Sequence, residues 1–262
     1  MRIATFLVVL FFFPAAHGAE TTPLFSSSDT LKAVLTAPIG QVHGQKKQDQ
    51  RLYMEGSWSY REGEETIRRP VKIRTRGHYR RVNCTNPPLM LNFRKKELAD
   101  TLFDGQDKLK MVNPCKNGDK FQQLVYVEYL IYQLYALFSD NHFRVRMVEV
   151  GYNDTDRPDK PWQSTNFLIQ DEDDMAASSG MAIFKIEKPK REELNLAETA
   201  LVEVFQFMIG NVDYSTLRAR EGDCCHNVKL IAQEGATSGF IPVPYDFDSS
   251  GILDAPYATL PQ

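Results

Sequence analysis

The chain has 262 residues, 42% of them hydrophobic and 25% charged, with a formal net charge of −3, an ordinary globular composition. That balance excludes a basic footprint for nucleic acid, and it excludes an acidic disordered tail.

Arg2 precedes an unbroken apolar run from Ile3 to Phe13, followed by Pro14 and small residues, the order of a secretory signal peptide. Ala16 and Gly18 stand three and one positions before the expected cut, so residues 1–18 are read as a signal peptide and the mature chain as secreted or periplasmic. An apolar run of ~11 residues falls short of the ~20 that cross a bilayer. The longest later run, residues 124–138, is broken by Glu128 and Gln133 and reads as a buried helix, so no membrane span is expected. Residues 19–30 are expected as a mobile, Ser-rich lead-in, and 31–262 as a single domain.

Strand patterns follow at 31–37, 52–61, 71–76, 89–93 and 108–112, with a polar loop at 45–51. The period then changes, and the apolar, aromatic stretch 121–138 predicts a helix packed on several sides. Residues 144–150 and 165–169 return to strand, the acidic run 171–174 predicts a short capped helix or a solvated loop, and 181–186 a short strand. Asn195, with Glu198 three residues on, predicts a helix opened by a capping box, with Leu201, Val204, Phe205 and Met208 on one face and Gly210 as its stop. Residues 227–232 and 240–245 flank a Gly-containing turn and predict a β-hairpin. The order of elements gives an α+β class.

Cys84 precedes PLMLNF and Cys115 follows KLKMV. Antiparallel pairing of those strands brings the two cysteines to one end of the ladder, which predicts a bridge between them. Cys224 and Cys225 are neighbours, read as a vicinal pair or as partly free thiols. With His226 they lack a second ligand pair, so the zinc reading is weak.

Three polar residues carry the chemistry. Asp213 lies in GNVDYSTL beyond the helix that Gly210 ends, Asn227 opens the hairpin, and Asp246 follows its second strand in IPVPYDFDSSG. A turn centred near Ala236 sets Asn227 opposite Tyr245 and beside Asp246. An amide oxygen and a carboxylate are hard ligands that Mg²⁺ or Mn²⁺ accepts, with phosphate and water completing the shell. A nearby carboxylate can take a proton from an attacking hydroxyl, which is the arrangement of phosphoryl transfer. Singly, each residue reads as ordinary turn or strand-edge chemistry. His226 reads as structural, the stripe Tyr126, Tyr129, Tyr132 and Tyr135 as packing surface, and Lys185, Lys188, Lys190 and Arg191 as a solvated face.

GNVD, HN and IPVPYDFD resemble the end of the spore coat protein H (CotH) family of atypical protein-kinase-like proteins. Arg76-Gly77 after VKIRT resembles that family's RGN motif, and FRVRMVEVGYN its strand before the hinge, so the resemblance runs from about Val71 to Gly251. It implies an atypical kinase-like fold, with a strand-rich N-terminal lobe (about 31–152), a helical C-terminal lobe (about 165–262) bearing a metal-site hairpin, and more helix beyond Gln262. It also implies ATP with Mg²⁺ or Mn²⁺, Asp213 as catalytic base, and Asn227 and Asp246 as metal ligands with Asp248 as the alternate. Lys110, on a strand, and Glu128, on the following helix, stand where kinases pair a nucleotide-anchoring lysine with a glutamate. The function expected is an exported CotH-like phosphotransferase, moving a nucleotide γ-phosphoryl group to a hydroxyl of an envelope or secreted protein. The alternatives are a non-catalytic kinase-like envelope or extracellular binding or structural protein, and a metal-assisted phosphoester hydrolase.

Overall fold

The computed structural model of the chain describes residues 22–219, 222 and 224–258. The expected signal peptide lies outside the described residues. Of residues 22–30, expected as a mobile lead-in, Leu24 and Phe25 pack against the domain. Pro23–Phe25 forms a 3-10 turn that buries Leu24 and Phe25, and the Arg146 guanidinium donates to Leu24 O and Asp29 O.

Seven strands close into a barrel: β1 (Leu31–Ala37), β2 (Met54–Glu62), β3 (Glu65–Thr75), β4 (Leu89–Phe93), β5 (Lys108–Val112), β6 (Val145–Asp154) and β7 (Trp162–Ile169). The order around the wall is β1-β2-β3-β4-β5-β7-β6, and every ladder is antiparallel except the closing one, where β6 runs parallel to β1 from Leu31↔Val148 to Ala37↔Asp154. A short helix, α1 (Ile39–Gly44), follows β1. Its first amides donate to the Asp154 carboxylate at the end of β6, which therefore caps a helix 115 residues away in sequence.

The two-lobed, kinase-like fold with a helical C-terminal lobe is thereby corrected. Residues 145–169 were split between two lobes, yet they form one hairpin of the barrel wall. The reason is packing on both faces of β7: Leu168 belongs to the barrel interior, whereas Phe167 and Ile169 belong to a second core outside it. Beyond the barrel lie a single three-stranded sheet, β8 (Ala182–Phe184), β9 (Val228–Ala232) and β10 (Ile241–Pro244) in the order β10-β9-β8, and few helices.

The barrel interior is filled by alternate residues of each strand, among them Leu35, Trp58, Ile73, Leu91, Leu109 and Val150. Phe103, from the loop before β5, is fully buried there, its ring 4.9 Å from Tyr60 and 5.3 Å from Phe93. The second core lies between the outside of β5, β6 and β7 and the helix α3 (Asp119–Tyr135). Val125, Tyr129, Tyr132 and Tyr135 recur at helical spacing on its buried face, while Tyr126 is exposed.

A fourth helix, α4 (Glu172–Ala177), is capped by Asp171, which accepts from the Asp173 amide. The fifth, α5 (Leu196–Met208), is opened by Asn195, whose side chain accepts from the Glu198 amide, and Gly210 ends it with φ +65°. The reciprocal half of the expected capping box is absent: the Glu198 carboxylate accepts from the Ser139 hydroxyl instead. The expected apolar face is also corrected. α5 buries Thr199, Val202, Phe205 and Gln206, whereas Val204 and Met208 are exposed.

Cys84 and Cys115 are bridged, with β4 antiparallel to β5 as the pairing required. Cys224 and Cys225 are bridged to each other. Among the described residues no helix is long and apolar enough to cross a membrane.

Candidate functional site

The C-terminal hairpin has the register expected of it. Val228 pairs with Pro244, and Tyr245 N donates to Asn227 O at 3.0 Å, so Asn227 stands opposite Tyr245 with Asp246 next in line. Asn227 (φ +52°) and Asp246 (φ +63°) both occupy the left-handed region at this end of the ladder. Asn and Asp enter that region more readily than other side-chain residues, at a cost of ~1–2 kcal/mol, and such conformations cluster at functional sites.

Asp213 reaches the same place from the other side. Gly210 turns the chain out of α5, Asn211 is buried and bonded to Gln206, and its carboxamide oxygen accepts from the Asp213 amide at 3.0 Å. That pinned turn delivers the Asp213 side chain to the hairpin. Asp213 Oδ1 lies 2.9 Å from His226 Nε2, and Asn227 Nδ2 donates to Asp213 O (2.7 Å) and Oδ2 (3.2 Å). The two residues that the sequence places 14 positions apart are in direct contact.

Asp246 and Asp248 form the next layer. The Asp246 amide donates to the Tyr132 hydroxyl of α3 at 2.9 Å, while its carboxylate takes no hydrogen bond or ion pair among the described residues. Asp248 accepts from the Ser249 hydroxyl with one oxygen and lies 3.6 Å from the Arg80 guanidinium with the other. Burial and the neighbouring Asp246 charge push the Asp248 carboxyl up to about 6, against the pull of Arg80. Beneath it Glu128 is buried on α3 and bound to Arg80 at 3.1 Å, and burial raises its carboxyl to about 8. Arg80 sits on α2 (Tyr79–Asn83) and also donates to Asn113 O at 2.7 Å. Burial opposes its charge, but Tyr257, Glu128, Asp248 and Asp246 together hold the guanidinium protonated above its usual range.

Lys110 and Glu128, expected to pair, do not. Lys110 Nζ lies 3.5 Å from Glu172 at the start of α4, and Glu172 is also 2.9 Å from Lys229 on β9. Burial lowers the Lys110 pKa, helped by Arg76 and opposed by Glu172. Both ammonium groups stand over the Tyr245 ring, at 5.4 Å and 5.7 Å, and Tyr245 is the residue before Asp246. The lysine thus lies beside Asp246, but the glutamate that holds the lysine comes from another helix. A short helix opened by three acidic residues gave no sign of reaching β5, and Arg80 lay in a five-residue helix without periodicity. His226 read as structural, and its bond to Asp213 had no signal in the sequence.

Among the described residues no three His, Cys, Asp or Glu side chains are gathered for a metal ion. An all-protein cage is therefore not what these residues offer. The oxygens that could serve as donors are the carboxylates of Asp246 and Asp248 and the amide oxygen of Asn227, all hard and too few to fill an octahedron. It suits an ion that keeps water and takes phosphate oxygens, as Mg²⁺ does. Comparison with protein-family models, with curated proteins and with solved structures finds no match for this chain.

Proposed function

We propose that the chain is an exported phosphotransferase, moving the γ-phosphoryl group of ATP to a hydroxyl of a secreted or envelope protein. The observation that carries this reading is the meeting of Asp213, Asn227 and Asp246 at one end of the hairpin, with the Asp246 carboxylate unengaged among the described residues and Lys110 one residue away across Tyr245. Export is supported by the N-terminal Arg2 and apolar run together with the Cys84–Cys115 bridge, which belongs to an oxidising compartment. The reading stands on the site and not on the fold.

In this reading Asp246, Asp248 and Asn227 Oδ1 would hold Mg²⁺ or Mn²⁺, which would supply neutralisation of phosphate charge. Lys110, paired with Glu172, orients the phosphate chain. Asp213 accepts the proton of the attacking hydroxyl as the new oxygen–phosphorus bond forms, the bond to the bridging oxygen breaks and ADP leaves with that electron pair. His226 and Asn227 hold the carboxylate in place for that transfer.

One observation favours a second reading, a non-catalytic binding protein: both carboxylate oxygens of Asp213 already take hydrogen bonds, as a structural clip would. Transfer of labelled phosphate from ATP to protein, compared between the native chain and Asp213→Asn, separates the two. Loss of transfer with retained nucleotide binding supports the enzyme, and absence of transfer in the native chain supports the binder.

A further inference from the structure

A second basic centre lies where β3 ends and the chain turns through Arg76, Gly77 and His78 into α2. A cavity of about 400 Å³ opens there, lined by Arg51, Arg74, Thr75, Arg76, His78 and Arg81, with Asp49 its one carboxylate. None of the four arginines forms an ion pair with a carboxylate among the described residues. Their fixed partners are neutral. Arg81 donates to the carbonyls of Gly77 and Lys46, Arg51 to those of Gln48 and Asp49, and Arg74 lies 4.6 Å over the Tyr53 ring.

Backbone carbonyls orient a guanidinium without cancelling its charge. The fold therefore presses like charges together, and Arg81 and Arg74 add to burial in disfavouring the charge on Arg51. Two guanidinium atoms of the lining, Nε of Arg51 and Nε of Arg74, are also without a hydrogen-bond partner. Buried donors are seldom left unmatched, so this lining lacks an acceptor. A guanidinium presents a planar fork that matches phosphate or sulfate oxygens two at a time.

We propose that this cavity binds a multiply charged oxyanion, a pyrophosphate group or adjacent phosphate or sulfate esters, held by Arg51, Arg74, Arg76 and Arg81. The Arg76 charge is felt at Lys110 and Tyr245, so an anion bound here lies on the approach to the hairpin site. The inference does not rest on phosphoryl transfer, because the lining contains none of the residues assigned to that reaction.

The test is calorimetric titration of the full chain, without divalent cations, using inorganic tripolyphosphate in one arm and a heparin-derived sulfated tetrasaccharide in the other. Saturable binding at one site is expected for at least one probe, and the tighter probe identifies the ester class. Arg51→Gln, Arg74→Gln and Arg81→Gln should each weaken it by about tenfold or more, because each removes a bond to a charged acceptor. Asp246→Ala should leave it unchanged, so failure of the proposed reaction and failure of this site read differently. Melting curves establish that each variant folds, and if Arg74→Gln does not, Arg51→Gln and Arg81→Gln decide. Failure of both probes to saturate, or binding indifferent to the folded variants, overturns the proposal.

Discussion

Asp213 is the residue on which a catalytic and a structural account diverge most. A base acts mainly in the transition state, so Asp213→Asn, which keeps shape and loses basicity, should leave the ATP-dependent thermal shift in place and lower the transfer rate by ~10²–10⁴-fold. A variant that melts several degrees lower with the same turnover would make the residue a clip for His226 and Asn227. The buried carboxyls give a second test. Glu128 is raised to about 8 and Asp248 to about 6, so each holds its proton more tightly folded than unfolded. Their contribution to stability is full below the ordinary carboxylate range and is lost as pH rises through about 6 and then about 8. The melting temperature of the metal-free chain should therefore fall between pH 5 and pH 8, and Glu128→Gln should flatten the upper part of that fall. A melting temperature that rises across this interval would contradict the assignment.

At the scale of elements, the sequence was legible where a signal is local. The hairpin register followed from the position of its turn, and the Asn195 cap from Asn195 with Glu198 three residues on. α5 shows why the rest was not. Its exposed side carries Val204, Phe207 and Met208 while its buried side carries Thr199 and Gln206, so hydrophobic periodicity selected the wrong face. The partner of Lys110 was equally hidden, because Glu172 reaches it only when β5 and β7 pair. Gly56 is a case in which close approach of strands decides the residue. A Cβ there would lie 2.8 Å from both Ala37 Cβ and Thr36 O on β1. Gly56→Ala should then cost ~1–3 kcal/mol through forced strand separation, read as a lower urea midpoint with an unchanged slope. An unaltered midpoint would show that β1 and β2 separate freely.

For the whole molecule, the separation of barrel and second core explains how a β-rich chain presents this site. The barrel wall supplies Lys110, α2 and α3 supply Arg80 and Glu128, and the small sheet supplies Asn227 and Asp246. Closure of the barrel by β6 against β1 joins segments more than 100 residues apart, and no local pattern announces a parallel ladder of that span. The two-lobed expectation failed there, although nearly every strand behind it was recognisable. The Cys84–Cys115 bridge ties the end of α2 to the loop after β5, and Cys84 N bonds Arg80 O while Arg80 bonds Asn113 O. Replacing both cysteines by Ala should cost ~2–4 kcal/mol and loosen Arg80 beneath Asp248, seen as weaker Mg²⁺ binding as well as a lower melting temperature. A lower melting temperature alone would confine the bridge to stability.

The central claim is that the hairpin end is a metal-and-nucleotide site. Calorimetric titration of the native chain and of Asp246→Ala with a non-hydrolysable ATP analogue, each with and without Mg²⁺, tests it most directly. Binding by the native chain should require Mg²⁺ and be lost in a folded Asp246→Ala variant. Absence of binding by the native chain, or equal binding by the variant, would contradict it.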